Sequence, residues 1–97
     1  KGIIIAFAIR YPNNRIALFY CKGKFQRKGF GSKLLQKLEN EAKKEGLDSL
    51  STEASLISYE LFLKNGWKII RKEKVTINNI FFERYKMIKN INVNFVN

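Results

Sequence analysis

The 97-residue chain contains no histidine and a single cysteine, Cys21. Without histidine there is no His-based triad, no imidazole general base and no His-ligated zinc. One cysteine also rules out an internal disulfide framework and leaves no ligand set for structural zinc, so no metal is expected. A lone thiol fits a reducing compartment, and no signal-peptide pattern is visible, so a cytoplasmic location is expected. No apolar run approaches the roughly 20 residues of a membrane span, so no membrane partner is expected. Proline occurs once, and no Pro- or Gly-rich linker or internal repeat divides the chain. Acidic residues are scarce, eight Asp and Glu against nineteen Lys and Arg. Any carboxylate base must come from those eight.

The resulting formal charge is +11. Such a charge draws polyanions: nucleic acid, a membrane surface or a phosphorylated ligand. The lysines are spread along the chain rather than massed in one block, and they accompany many Asn and Ile, a composition that A+T-rich coding also produces. Nucleic acid is therefore kept as an alternative partner, not the first one. The length allows one domain, burying about 60–65% of its unfolded surface.

Ile3 to Arg10 is an almost continuous apolar run, the pattern of a strand covered on both faces. Tyr11-Pro12-Asn13-Asn14 is a turn, and Ile16 to Cys21 returns as an antiparallel strand. A helix is expected from about Phe30 to Glu45, with Leu34, Leu35, Leu38 and Ala42 as its apolar stripe. Leu47 to Thr52 reads as a third strand, parallel to the second because a helix connects them. Ser55 reads as the cap of a second helix reaching Lys64, apolar over most of its girth and so packed on several sides. Trp67–Ile77 and Ile80–Lys89 read as a hairpin about Asn78-Asn79, a pair suited to positive φ. Ile91, Val93 and Phe95 alternate with asparagines in a tail, 90–97, that is either a strand or disordered. A central-type strand at Ile3 to Ile9 should not be a bare edge. Upstream residues, a second chain or the tail should cover it, and a segment preceding Lys1 is expected to be missing.

Gln26-Arg27-Lys28-Gly29-Phe30-Gly31 links the second strand to the first helix. Glycines let backbone approach an anion, and a helix N-terminus offers N–H groups and a favourable dipole. Lys22, Lys24, Arg27, Lys28 and Lys33 surround the turn. The spacing is neither the G-x-G-x-x-G of a dinucleotide fold nor a P-loop.

It resembles the acyl-CoA pyrophosphate loop of the GNAT superfamily of N-acetyltransferases, Gln/Arg-x-x-Gly-x-Gly/Ala. Phe19-Tyr20-Cys21 resembles that family's aromatic-rich strand end. Thr52-Glu53-Ala54-Ser55 and Leu61 to Trp67 resemble its next strand end, helix and Gly-Phe turn, and Met87-Ile88-Lys89 its closing Met-x-Lys. The resemblance covers residues 1–89. It implies an α/β fold: a mixed, mostly antiparallel sheet with helices on both faces, lacking its N-terminal part. It implies acetyl transfer from acetyl-CoA to a primary amine, on a small molecule or peptide, by direct attack in a ternary complex. A homodimer is also compatible.

By the same resemblance, the pyrophosphate falls to Gln26, Arg27, Lys28, Gly29, Phe30 and Gly31, with Ser32 and Ser55 nearby. Phe19, Tyr20 and Cys21 would pair with the pantetheine arm where the strand splays from its parallel neighbour. A backbone N–H at Tyr20 or Cys21 would polarise the thioester carbonyl. Glu53 is the best-placed carboxylate to accept the amine's proton, and it is equally readable as a surface or capping acid. Phe62 stands where many family members carry the tyrosine that protonates the leaving thiolate, and is expected to line the cleft. Tyr59, on nearly the same helix face, is the remaining hydroxyl that could serve, or a core residue. Two other readings stay open: a basic nucleic-acid-binding module, and a degenerate relative that binds CoA without transferring.

Overall fold

The structure, a computed structural model, describes residues 6–22 and 29–92. The elements run β1 (Ala6–Arg10), β2 (Arg15–Cys21), α1 (Phe30–Lys44), β3 (Ser49–Ser55), α2 (Tyr59–Lys64), β4 (Lys68–Ile77) and β5 (Ile80–Asn90). They form one five-stranded sheet in the order β1-β2-β3-β5-β4. Among the described residues only the β2–β3 pair is parallel. This is the expected mixed, mostly antiparallel sheet. The expected hairpin turn is present, with both central asparagines at positive φ (Asn78 51°, Asn79 66°).

Leu35, Leu38 and Ala42 of α1 and Phe62 of α2 share one core with Ile16, Leu50, Ala54, Trp67, Met87 and Ile91. Directly opposed residues of antiparallel strands share a face. The pairs Thr52↔Met87 and Ala54↔Tyr85 therefore mark the helix-bearing face, and Glu53↔Lys86 and Ser55↔Arg84 the other. Among the described residues both helices lie on the first face. The second carries no helix among the described residues.

Three expectations change. β1 is an edge strand paired only to β2, and no described residue lies along its outer edge. Its apolar run is thus not covered on both sides within the described part: Phe7 and Ile9 are 38% and 49% exposed. Residues 1–5 and the tail positions Val93 and Phe95 lie outside the described residues, whereas Ile91 joins the core and donates its N–H to the Asp48 carbonyl. The third strand runs on to Ser55, because Glu53, Ala54 and Ser55 each pair with β5. Ser55 is consequently a strand end, not a helix cap, and α2 is only six residues long. Nor is α2 packed all round: Phe62 alone is buried, and Leu63 is exposed.

Candidate functional site

The β2–β3 ladder is very short. It consists of Arg15↔Ser51 and Ile16↔Thr52, after which the two strands are no longer paired with each other. Local chemistry accounts for the break. In the β1–β2 pairing Arg10 faces Ile16 but Ile9 faces Leu18, so Ala17 is an extra residue, a bulge. A bulge bends its strand and increases its twist. The last rung is reinforced by the buried Thr52 hydroxyl, which donates to the Ile16 carbonyl at 2.8 Å. Beyond it the bulge turns Phe19 toward the helix face. It leaves Leu18 and Tyr20 on the open face, where the Tyr20 ring meets Phe7 at 5.4 Å.

The opening between β2 and β3 continues into a cleft of about 740 Å³. Phe19, Tyr20 and Cys21 line it from β2, Gly31 from the first turn of α1, and Ser55 from the end of β3. The far wall is Ile57, Ser58, Glu60, Leu61 and Lys64. Five of the expected site residues are thus brought together. Gly29, Phe30 and Ser32 are at the same end of α1, while Gln26, Arg27 and Lys28 lie outside the described residues.

The α1 N-terminus is built without a competing anion. Among the described residues no side chain caps it, and its first turn carries no acid. Gly29, the N-cap, has φ 82°, a left-handed conformation open to glycine at little cost. At Gly31 the approach is to a side chain instead: a Cβ there would come within 2.9 Å of Leu61 Cδ2. The two helices meet closely at this point, and Asn65 Nδ2 donates to Ser32 Oγ across the same contact at 3.1 Å.

Ser55 and Ser58 form a reciprocal pair. Each backbone N–H donates to the other's Oγ, at 3.2 and 3.1 Å, and the two hydroxyls lie 3.0 Å apart. This closed turn replaces the helix cap expected of Ser55 and holds both hydroxyls on the cleft wall.

Three expected residues are not on the cleft. Phe62 is 1% exposed and packs edge-on against Phe19 at 5.4 Å and Trp67 at 4.9 Å, so it stands one ring behind the cleft wall and does not line it. Tyr59 stacks on Tyr85 at 4.5 Å, a core role. Glu53 projects on the open face, where it accepts from Arg15 Nε at 2.8 Å and Lys86 Nζ at 2.9 Å. Burial raises its pKa, but the hydrogen bonds and charges of these two cations outweigh that and hold the carboxyl below its ordinary range.

The residues that sequence reading missed carry a signal. Ile57, Glu60, Leu61 and Lys64 recur at three- and four-residue spacing, one side of a helical turn with Phe62 on the other. Placing Phe62 on the cleft obscured that register.

Residues 1–89 match the family model for the acetyltransferase (GNAT) domain. The chain belongs to the GNAT family. Its fold is similar to a GCN5-related N-acetyltransferase from Rhodopseudomonas palustris, 26% identical with a TM-score of 0.84, over 92% of this chain and 56% of that one. A putative acetyltransferase from Salmonella typhimurium, solved with acetyl-CoA, is 17% identical (TM-score 0.74, 99% of this chain and 63% of that one). A Bacillus subtilis acetyltransferase in complex with CoA is 20% identical (TM-score 0.68, 92% and 70%). The GNAT chain described here thus spans little more than half the length of the first of these structures. No curated protein matches it.

Proposed function

We propose that this chain carries the acyl-CoA half of an N-acetyltransferase site and transfers acetyl from acetyl-CoA to a primary amine, in a ternary complex with no acyl-enzyme. The observation that carries this reading is the two-rung β2–β3 ladder, opening beside a helix N-terminus whose first turn carries no acid. The diphosphate would sit at Gly29 to Ser32, where backbone N–H groups and the helix dipole favour an anion. Gln26, Arg27 and Lys28 are proposed to complete that cradle. The thioester arm would lie along Phe19, Tyr20 and Cys21, with Ser55 and Ser58 opposite. Bound acetyl-CoA supplies an activated acyl group. The chain's own contribution is to hold that group and to aim a backbone N–H of Tyr20 or Cys21 at the oxygen where charge develops. Glu53, clasped by two cations, is a poor proton acceptor, so the amine's proton is assigned to water at the cleft mouth. Phe62 and Tyr59 have no proton to give at the cleft, and the leaving thiolate is protonated by water as well. Cys21 is assigned no nucleophilic role, because the sequence holds no histidine to activate it.

The test compares melting temperatures with and without acetyl-CoA at high salt, then measures thiol release with a panel of amines. A ligand that binds the folded state raises the midpoint, and high salt removes phosphate-backbone contacts of the nucleic-acid kind. A shift with thiol release supports the transferase. A shift without release for any amine leaves a CoA-binding relative that does not transfer. No shift, with salt-sensitive DNA binding instead, favours the basic module that the net charge of +11 permits.

A further inference from the structure

The geometry points to Glu53 as a positioning residue that, with Arg15 and Lys86, braces the fork between β2 and β3 and so sets the width of the acyl-CoA cleft. The inference rests on the cleft reading given above. Glu53 is the first residue of β3 past the last rung, Ile16↔Thr52. From there its two carboxylate oxygens reach different strands. Oε1 accepts from Arg15 on β2 at 2.8 Å, and Oε2 from Lys86 on β5 at 2.9 Å. One side chain thereby ties three adjacent strands on the open face at the point where backbone pairing between two of them stops. The Arg15 guanidinium is further oriented by the Tyr11 carbonyl at 3.1 Å, which anchors the brace to the turn before β2.

The neighbouring charges do not compete for it. Arg84 and Arg71 are both taken by Glu73, at 2.9 and 3.0 Å. Glu53 side-chain exposure is 15% and that of Lys86 23%, so water only partly replaces these bonds when one is broken. On the opposite face the Thr52 hydroxyl secures the same rung. The fork is therefore pinned from above and below, and the Ala17 bulge then directs β2 away. A carboxylate occupied in this way positions the cleft edge instead of taking a proton from the amine.

The experiment uses the full chain and the variants Glu53→Gln, Arg15→Met and their double mutant, with Lys86→Met as a second route should either single variant fold poorly. Two readouts are taken: amide hydrogen exchange at residues 15–21 and 51–55 without ligand, and the Kd for acetyl-CoA. The brace predicts that both single variants speed exchange at the fork and weaken acetyl-CoA binding by a similar factor, about threefold to a hundredfold, the span of coupling between contacting residues. The double mutant should be little worse than the worse single. Where turnover is measurable, the acid limb of the pH–rate profile keeps its position in Glu53→Gln. Unchanged exchange and Kd in Arg15→Met, with Glu53→Gln losing only kcat by about 10²–10⁴-fold and its acid limb, would overturn the brace in favour of a general base. If wild type fails to bind acetyl-CoA while the exchange changes appear as described, the cleft reading falls and the structural brace stands.

Discussion

A side chain added at position 29 and one added at position 31 act in different physical ways, and the two can be separated by measurement. At Gly29 an added Cβ meets nothing within 4 Å, but φ is +82°, so alanine there costs about 1 kcal/mol in backbone conformation. At Gly31 the added Cβ would meet Leu61 Cδ2 at 2.9 Å, the end of a flexible, half-buried side chain that can turn aside, so the cost is that of a rotamer adjustment, about 1 kcal/mol. In urea unfolding Gly31→Ala, Leu61→Ala and the double mutant should couple, and the same cycle with Gly29→Ala should be additive. Phe62 gives a second residue-scale expectation. Phe62→Tyr puts a hydroxyl into a ring cluster with 1% exposure, so a loss of about 1–3 kcal/mol is expected in the same assay, with no gain in transfer rate. An unchanged stability together with faster thiol release would place the ring on the cleft after all. The pKa of Glu53 adds a pH dependence. Its carboxyl titrates below the ordinary glutamate value of about 4.3, so its contribution to stability is fully present above that pH. That contribution is lost as pH falls through the lower folded value. Between about pH 5 and pH 3, Glu53→Gln should therefore lose less stability than wild type.

Among the elements, α1 is fastened to the sheet by one buried carboxylate. Glu39 accepts from Trp67 Nε1 at 2.9 Å and Lys89 Nζ at 2.9 Å, and Lys89 also donates to the Asn65 carbonyl at 2.7 Å. A helix, the turn after α2 and β5 meet at this point. Truncating one partner of such a group leaves the others desolvated, so Glu39→Ala should cost about 3–5 kcal/mol, more than Glu39→Gln, which keeps an acceptor. Trp67 is the only tryptophan, and its fluorescence reports both the local loss and the unfolding midpoint. The helical stripe, the hairpin and its Asn-Asn turn were all legible, because periodicity and positive φ are local properties. The start of α2 was not. Ser55 satisfies the local pattern of a helix cap, and only pairing with Arg84 on β5 reveals it as strand.

For the molecule as a whole, two features stand out: a formal charge of +11 and one sheet face that carries no helix among the described residues. Self-repulsion at that charge destabilises the compact state, and screening over a Debye length of about 10 Å at 0.1 M salt relieves it. The melting temperature should accordingly rise between about 10 and 300 mM NaCl, whereas the stabilisation added by acetyl-CoA should shrink over the same range as its phosphates are screened but persist at high salt through hydrogen bonds to the backbone. A salt-independent midpoint would show that the spread lysines do not act collectively. Phe7, Ile9, Leu18 and Tyr20 give the open face an apolar and aromatic side next to the Glu53 ion pairs. This arrangement could not be read from the run Ile3 to Arg10, which is equally apolar on both of its faces.

By itself the sequence determined the order of elements, the apolar stripe of α1, the hairpin and the glycine-spaced turn, along with the absence of histidine chemistry. Each of these rests on residue type or on spacing within a few positions. Tertiary structure decided that β3 pairs with β5 and how long each ladder runs. The bulge at Ala17, the two-rung ladder and the resulting cleft depend on partners far apart in the chain, such as Ile16 with Thr52. It also decided that Phe62 stands behind Phe19 and that Glu53 is held by Arg15 and Lys86. A side chain's chemistry follows from its type, but whether that chemistry is available follows from what the fold places against it.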